Sequence, residues 1–159
     1  MPYPDERLTH PLPLAELERR WRAVREAMAA ARLDALVVQG ASNLAGTGGY
    51  FRWFTGVSPI GSYPMTVLFP RDGLMTLVCH GALGGRDELN GEDPILPGIG
   101  RRLTTPMFPA IGYSAGYDAD LAVGEIEARG WRRIGLVGLN QMLHGSGRAL
   151  EAGLCGVEV

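Results

Sequence analysis

From Leu14 the chain sets apolar residues three and four positions apart. Leu14, Leu17, Trp21, Val24 and Met28 fall on one stripe, which is the period of an amphipathic helix. Glu16, Arg19, Arg20, Arg22 and Glu26 fall off that stripe. Glu16–Arg20 and Glu18–Arg22 place the acid four residues before the base, the favourable order on a helix surface. The pattern predicts a helix from Leu14 to about Arg32. Pro13 suits its first position, where a missing N–H costs nothing. No glycine marks its end. Residues 1–13 carry several prolines and no period, and are expected to form an extended arm.

The next apolar segments are short. Asp34-Ala-Leu-Val-Val-Gln-Gly40 is bounded by turn residues and reads as a buried strand. Ala41-Ser42-Asn43 offers the N-cap of a second helix. Gly46, Gly48 and Gly49 make that helix irregular or late. The aromatic run Tyr50-Phe51-Arg52-Trp53-Phe54-Thr55-Gly56 follows, and Gly56, Pro59 and Gly61 break the chain after it. Met65 to Pro70 and Leu74 to Cys79 are strand-like runs joined through Arg71-Asp72-Gly73, and Asp-Gly between such runs signals a hairpin.

Gly81 to Gly100 is polar and rich in glycine and proline, and is expected to be a long loop. Arg102 to Ile111 is expected to hold a short strand, which Pro106 and Pro109 would confine to a sheet edge. Tyr117 to Arg129 reads as a helix with Asp118 and Asp120 in its first turn and Gly130 as its stop. Arg133 to Val137 is a strand. Asn140 is the expected cap of a last helix reaching Ala152, and Val157-Glu158-Val159 the start of a final strand. Helices alternating with buried strands predict an α/β domain of three layers, α/β/α, with a mixed, mainly parallel sheet that includes one hairpin. The sequence stops inside an apolar strand, and we expect a domain of a longer protein.

Composition narrows the picture. A chain of 159 residues with 46 % apolar and 20 % charged residues is one globular domain. A net charge of -2 and arginines scattered along the chain argue against a nucleic-acid partner. The two cysteines, Cys79 and Cys155, lie far apart in apolar surroundings and read as reduced thiols. No signal peptide and no apolar run of membrane-spanning length is present, so a cytoplasmic protein without a membrane partner is expected.

Local motifs for chemistry are sparse. His10, His80 and His144 stand alone, with no second ligand at metal spacing. Asp87-Glu88 and Glu92-Asp93 could bind a cation, but loop composition favours a solvated surface. Gly145-Ser146-Gly147 lacks the spacing of a nucleophile elbow. Gly46-x-Gly48-Gly49 stands too far behind its strand for a dinucleotide fingerprint. The aromatic run remains. Phe51 and Phe54, three apart, suit a core. Tyr50, Arg52 and Trp53 are open to two readings, aromatic packing with an exposed arginine or the wall of a binding site.

Taken in order, these segments resemble the N-terminal domain of the creatinase/prolidase/Xaa-Pro aminopeptidase family, the pita-bread metallopeptidases. The resemblance rests on the arginine-rich helix leading into Leu33-Asp34-Ala35-Leu36-Val37-Val38, on Ser42-Asn43-Leu44, and on Trp53-Phe54-Thr55-Gly56. The hairpin and Arg133-Ile134-Gly135-Leu136 match in kind. It covers the chain from Leu14 onward, so residues 14–159 would form one such domain. The glycine-rich stretch of Gly46 to Tyr50 departs from the family pattern.

The resemblance implies a ribonuclease-H-like domain placed before a catalytic domain that binds two divalent metal ions. The motifs of those metal ligands are absent here, so no catalytic residue, no metal ligand and no cofactor is assigned to this chain. What it implies is an accessory role in dimer contact and substrate gating, with the chain's own C-terminal catalytic domain and a second copy as partners. Family members lend residues to the partner's active-site entrance from the segment Val57 to Tyr63, which adds Ser62 and Tyr63 to the rim candidates Tyr50, Arg52 and Trp53. The alternative reading is a free-standing α/β module that binds a small molecule or nucleotide. Which substrate the parent protein takes is not written in this domain.

Overall fold

The computed structural model of the protein describes residues 12–40, 49–57, 63–106, 111–156 and 158, with the side chains of 111–115 left aside. Residues 1–11 of the expected arm over 1–13, the expected cap at 41–43 and Ser62 lie outside the described residues. Among the described residues there are four helices and six strands: α1 (Leu14–Ala31), β1 (Ala35–Gly40), α2 (Gly49–Thr55), β2 (Met65–Pro70), β3 (Met75–His80), β4 (Gly85–Glu88), β5 (Ile99–Thr105), α3 (Ile111–Arg129), β6 (Ile134–Val137) and α4 (His144–Gly153).

The strands form one mixed sheet in the order β4-β5-β3-β2-β1-β6. β1, β3, β5 and β6 run one way, and β2 and β4 run against them. The sheet is the expected mixed one with most strands running one way, yet parallel ladders are fewer than antiparallel ones. Among the strands of the described residues, parallel ladders join β1 to β6 and β3 to β5. The reason is local. The predicted hairpin β2–β3 is present, and β1 also lies antiparallel to β2, so the sheet centre is a three-stranded antiparallel unit. Parallel pairs need long crossovers, and here they flank that unit.

Side-chain alternation along the central strands builds two cores. Leu36, Val38, Val67, Phe69, Met75 and Leu77 face α1 and α2, meeting Leu17, Trp21, Met28, Phe51 and Phe54. Ala35, Val37 and Leu68 face α3 and α4, meeting Ala119, Ala122, Ile126 and Leu150. The layers are therefore α1 and α2, the sheet, then α3 and α4. The Trp21 indole N–H donates to the Phe54 carbonyl at 2.7 Å, tying α1 to the last turn of α2 in a buried position.

The Leu33-Asp34-Ala35 motif gains a physical explanation. Asp34 Oδ2 accepts the backbone N–H groups of Arg132 at 2.8 Å and Arg133 at 3.0 Å. It thereby pins the entry of β6 beside that of β1. These bonds, the one from Arg132 foremost, hold its carboxyl below the usual aspartate range. No glycine ends α1; Arg32 adopts the left-handed conformation itself, at φ 57°.

Four local expectations differ from the structure. The loop over Gly81–Gly100 contains β4, an edge strand whose polar residues hide strand character because none needs a core. Its Asp87 pairs with Arg102 at 2.7 Å and its Glu88 with Arg101 at 2.7 Å, both across the ladder to β5. β5 begins three residues earlier than expected and is interior, with Pro106 just beyond its end. α3 starts at Ile111, so Asp118 and Asp120 lie mid-helix rather than in its first turn. Leu143, not Asn140, occupies the cap position of α4, and its N–H donates to the Gln39 side chain of β1 at 2.9 Å. Of the final strand, Glu158 bridges Arg133 in parallel; residues 157 and 159 lie outside the described residues. No helix among the described residues is long and apolar enough to cross a membrane.

Candidate functional site

Four parallel strands end at the same edge of the sheet. Gly40, His80, Thr105 and Val137 are their last residues. In open α/β sheets the crevice outside the carboxyl ends of the strands is the usual place for ligands. Two of the rim candidates that the structure describes, Tyr50 and Tyr63, lie by this end, on opposite sides of the sheet.

On the α1–α2 side stands the aromatic run, which is helix α2 itself. Phe51 and Phe54 point inward and are buried. Phe54 meets Phe69 of β2 edge-to-face, with ring centroids 5.0 Å apart. Tyr50 and Trp53, also three apart and so on one side of the helix, remain exposed at 45 % and 39 %. Thr55 closes the last turn, its hydroxyl donating to the Phe51 carbonyl at 2.9 Å. Gly56 follows at φ 75°, a left-handed stop that explains the glycine of the aromatic-threonine-glycine motif.

Two partners of this surface were not legible beforehand. Arg20 of α1 lies over the Trp53 ring, 5.2 Å from its centroid, and donates to the Trp53 carbonyl at 3.1 Å. Arg20 also binds Glu16, one turn back, at 2.8 Å. The Tyr50 ring covers Gly138, just past β6; a Cβ on Gly138 would stand 2.5 Å from Tyr50 Cδ2, and its φ is 72°. Tyr50 thus needs a glycine beneath it. Arg52 is half-buried and has no ion-pair partner among the described residues.

Tyr63 belongs to the other side. Its ring meets the His80 ring edge-on at 4.6 Å. The His80 side chain shares a face with Thr76, whose hydroxyl bonds Glu125 of α3, so the pair lies on the α3 side of the sheet. His80 pairs in register with Thr105, and Thr105 donates to Asp118 Oδ1 at 2.8 Å. Burial lowers the proton affinity of His80 and pushes the Asp118 carboxyl up to about 6. Tyr50 and Trp53 therefore form one surface and Tyr63 another. Nothing about Asp118 pointed to this site beforehand, because it was placed in a first turn.

The acidic residues named as a possible cation site are otherwise engaged. Asp87 and Glu88 are paired with arginines, Asp93 accepts the N–H groups of Ile95 and Leu96, and Glu92 bonds Asn90. Among the described residues no three His, Cys, Asp or Glu side chains gather as a donor set. The described part of the chain therefore offers no seat for a pair of divalent ions. A surface groove of about 640 Å³ lies away from the strand ends, on the outer side of α1 beside Arg71 and Asp72. Two of its three arginines serve the fold: Arg25 donates to the Gly73 carbonyl at 2.6 Å and Arg71 to that of Leu33 at 3.3 Å.

No family model and no curated protein matches the sequence. Solved structures do match the fold. A prolidase from Thermococcus sibiricus superposes with a TM-score of 0.60 at 12 % identity, over 89 % of this chain and 33 % of that one. The dipeptidase PepE from Mycobacterium ulcerans gives 0.57 at 15 %, over 94 % and 35 %. An Xaa-Pro aminopeptidase from Streptococcus pyogenes gives 0.54 at 19 %, over 92 % and 91 %. The fold is of the prolidase and Xaa-Pro aminopeptidase type. At these identities the likeness is one of fold. The chain spans about a third of the prolidase and dipeptidase chains.

Proposed function

We propose that this chain is the accessory N-terminal domain of a metal-dependent Xaa-Pro peptidase or creatinase-like hydrolase. It serves dimer contact and substrate gating and leaves bond cleavage to a separate catalytic domain. The observation that carries this reading is the fit of about nine-tenths of the chain to a third of a prolidase and of a dipeptidase. A domain of this fold is one part of those larger enzymes. The two expected metal ions would sit in the catalytic domain.

The gating surface is the exposed side of α2. Tyr50 and Trp53 present flat, amphipathic rings there, with Arg20 clamped over Trp53. Arg52, free of an ion pair among the described residues, supplies a fork of donors suited to a substrate carboxylate. Ser62 and Tyr63 belong to the same proposal as residues of the entrance, Tyr63 from the opposite side of the sheet. The partners are the chain's own catalytic domain and a second copy.

The test is kinetic, on the full-length enzyme with an Xaa-Pro dipeptide. Arg52→Gln should raise KM several-fold and change kcat less, as expected for a residue that binds without touching the reacting bond. Unchanged kinetics would sink the rim assignment. Removing residues 1–159 should leave the metal content of the remainder intact and lower its oligomeric state by sedimentation; loss of metal would place ligands in this domain after all.

A further inference from the structure

Helix α3 is seated on the sheet by two carboxylates, Asp118 and Glu125, seven residues apart and so on one side of the helix. Both residues are buried, at 1 % and 3 % exposure. Their surroundings differ sharply. Glu125 receives Arg101, Arg129 and the Thr76 hydroxyl. Asp118 receives one neutral donor, Thr105, on Oδ1. Its Oδ2 is buried with no hydrogen-bond partner. An ionised carboxylate in that position has lost water and gained no counter-ion.

The neighbours of Asp118 do not supply a positive charge. β5 presents Thr105; its Arg101 is already shared between Glu88 and Glu125. β3 presents His80, whose Nε2 is also buried without a partner; Cys79 points to the other core, where burial first of all pushes its thiol up. On α3 itself Tyr117 and Asp120 are exposed, and on α4 His144, Arg148 and Glu151 are exposed. No ion pair joins Asp118 to another described residue.

We propose that Asp118 makes the docking of this part of α3 proton-linked: the neutral acid seats the helix on the end of β5, and ionisation loosens that seat while Glu125 holds the rest of the helix. The movable part lies at the strand ends, beside His80 and Tyr63. The inference stands on described residues alone and does not depend on the peptidase reading.

The sign follows from burial. Asp118 titrates near 6 in the folded chain and near 4 when unfolded, so between these pH values the folded chain holds a proton that the unfolded chain has released. Stability therefore falls as pH rises through this window, by about a hundredfold in the folding equilibrium. His80 acts in the opposite direction. Burial lowers its affinity, so it favours the folded chain more as pH rises toward the unfolded histidine value. Comparison with Asp118→Asn cancels that contribution.

The experiment is a carboxyl ¹³C titration of the 159-residue chain, with urea unfolding of wild type and Asp118→Asn from pH 4 to pH 7. Amide exchange along α3 is followed over the same range. We expect an Asp118 midpoint near pH 6 and a roughly hundredfold fall in folding equilibrium relative to Asp118→Asn. Exchange should quicken over 116–122 and not over 124–129. A midpoint at or below pH 4, parallel pH profiles for the two proteins, or a uniform change along the helix would overturn the proposal. Should Asp118→Asn fail to fold, the ¹³C titration and the exchange pattern of the wild type decide it.

Discussion

Replacing Glu125 by glutamine removes one charge and little volume from the join between α3 and the sheet. The wild-type carboxylate accepts four hydrogen bonds. Oε1 takes Thr76 at 3.1 Å, Arg101 at 3.1 Å and Arg129 at 2.9 Å, and Oε2 takes Arg101 at 2.8 Å. Hydrogen bonds to a charged group contribute about 1.5–3 kcal/mol each in favourable cases. Their sum is not the expected effect. The Arg101 and Arg129 side chains are 26 % and 40 % exposed and recover water when the charge is lost, and Arg101 keeps Glu88. Burying the carboxylate also carries a desolvation cost that the glutamine escapes. Against that relief, the amide directs a donor at a guanidinium in a site with almost no water. The balance is a loss of about 2–4 kcal/mol at neutral pH.

Thermal unfolding would read this as a fall of roughly 4–16 °C in Tm for a chain of this length, and urea unfolding as a shift in midpoint at constant m. Glu88→Gln is the control. Glu88 is 69 % exposed, so its bridge to Arg101 is screened, and a change under ~0.5 kcal/mol is expected. The pH limb gives an independent check. The arginine and threonine bonds outweigh burial and hold Glu125 below the ordinary glutamate range. A lowered carboxyl adds stability that is present above its unfolded value and is lost as pH falls through its folded one. Wild type should therefore lose stability below about pH 4.5, and Glu125→Gln should lack that part of the loss. If Glu125→Gln unfolds within 0.5 kcal/mol of wild type, roughly the noise of such measurements, desolvation has cancelled the bonds and α3 is held by packing alone.

The inner and outer rings of α2 should separate cleanly: Phe51→Ala is expected to cost about 3–5 kcal/mol, and Trp53→Ala less than ~1 kcal/mol because its ring is exposed, both by urea unfolding. Equal losses would contradict the division between core and rim. Asp34→Ala, which frees the Arg132 and Arg133 amides, should lose about 1–3 kcal/mol. Its carboxyl is held low, so the corresponding wild-type stability is present above about pH 4 and disappears as pH falls further; a pH-independent difference between the two proteins would refute the capping role.

What the sequence disclosed, and what it hid, divide along the range of the interactions involved. The stripe of Leu17, Trp21 and Met28 and the spacing of Phe51 and Phe54 are properties of a few consecutive turns. They placed α1 and the burial of Phe51 and Phe54 correctly. The Asp-Gly hairpin is equally local. β4 was hidden because an edge strand of Arg86, Asp87 and Glu88 needs no buried face. Its stability comes from arginines on β5, thirteen and fifteen residues away. Asp34 shows the same limit from the other side. Its motif was legible, but its partners lie ninety-eight and ninety-nine residues on, and no local pattern names them.

Asp118 carries this furthest. Gly112 and Gly116 disguise the first turns of α3, so the local pattern starts the helix near Tyr117 and gives Asp118 to its positive end. Had that been so, the dipole would have kept the carboxyl ionised and solvated. The helix instead starts at Ile111, which turns the same residue mid-helix onto β5 and leaves Oδ2 without a donor. A shift of the helix start by six residues thus converts a stabilising surface charge into a buried acid. The strand ends therefore combine the Tyr50 ring, fixed over Gly138, with a seat for α3 whose strength follows the proton on Asp118.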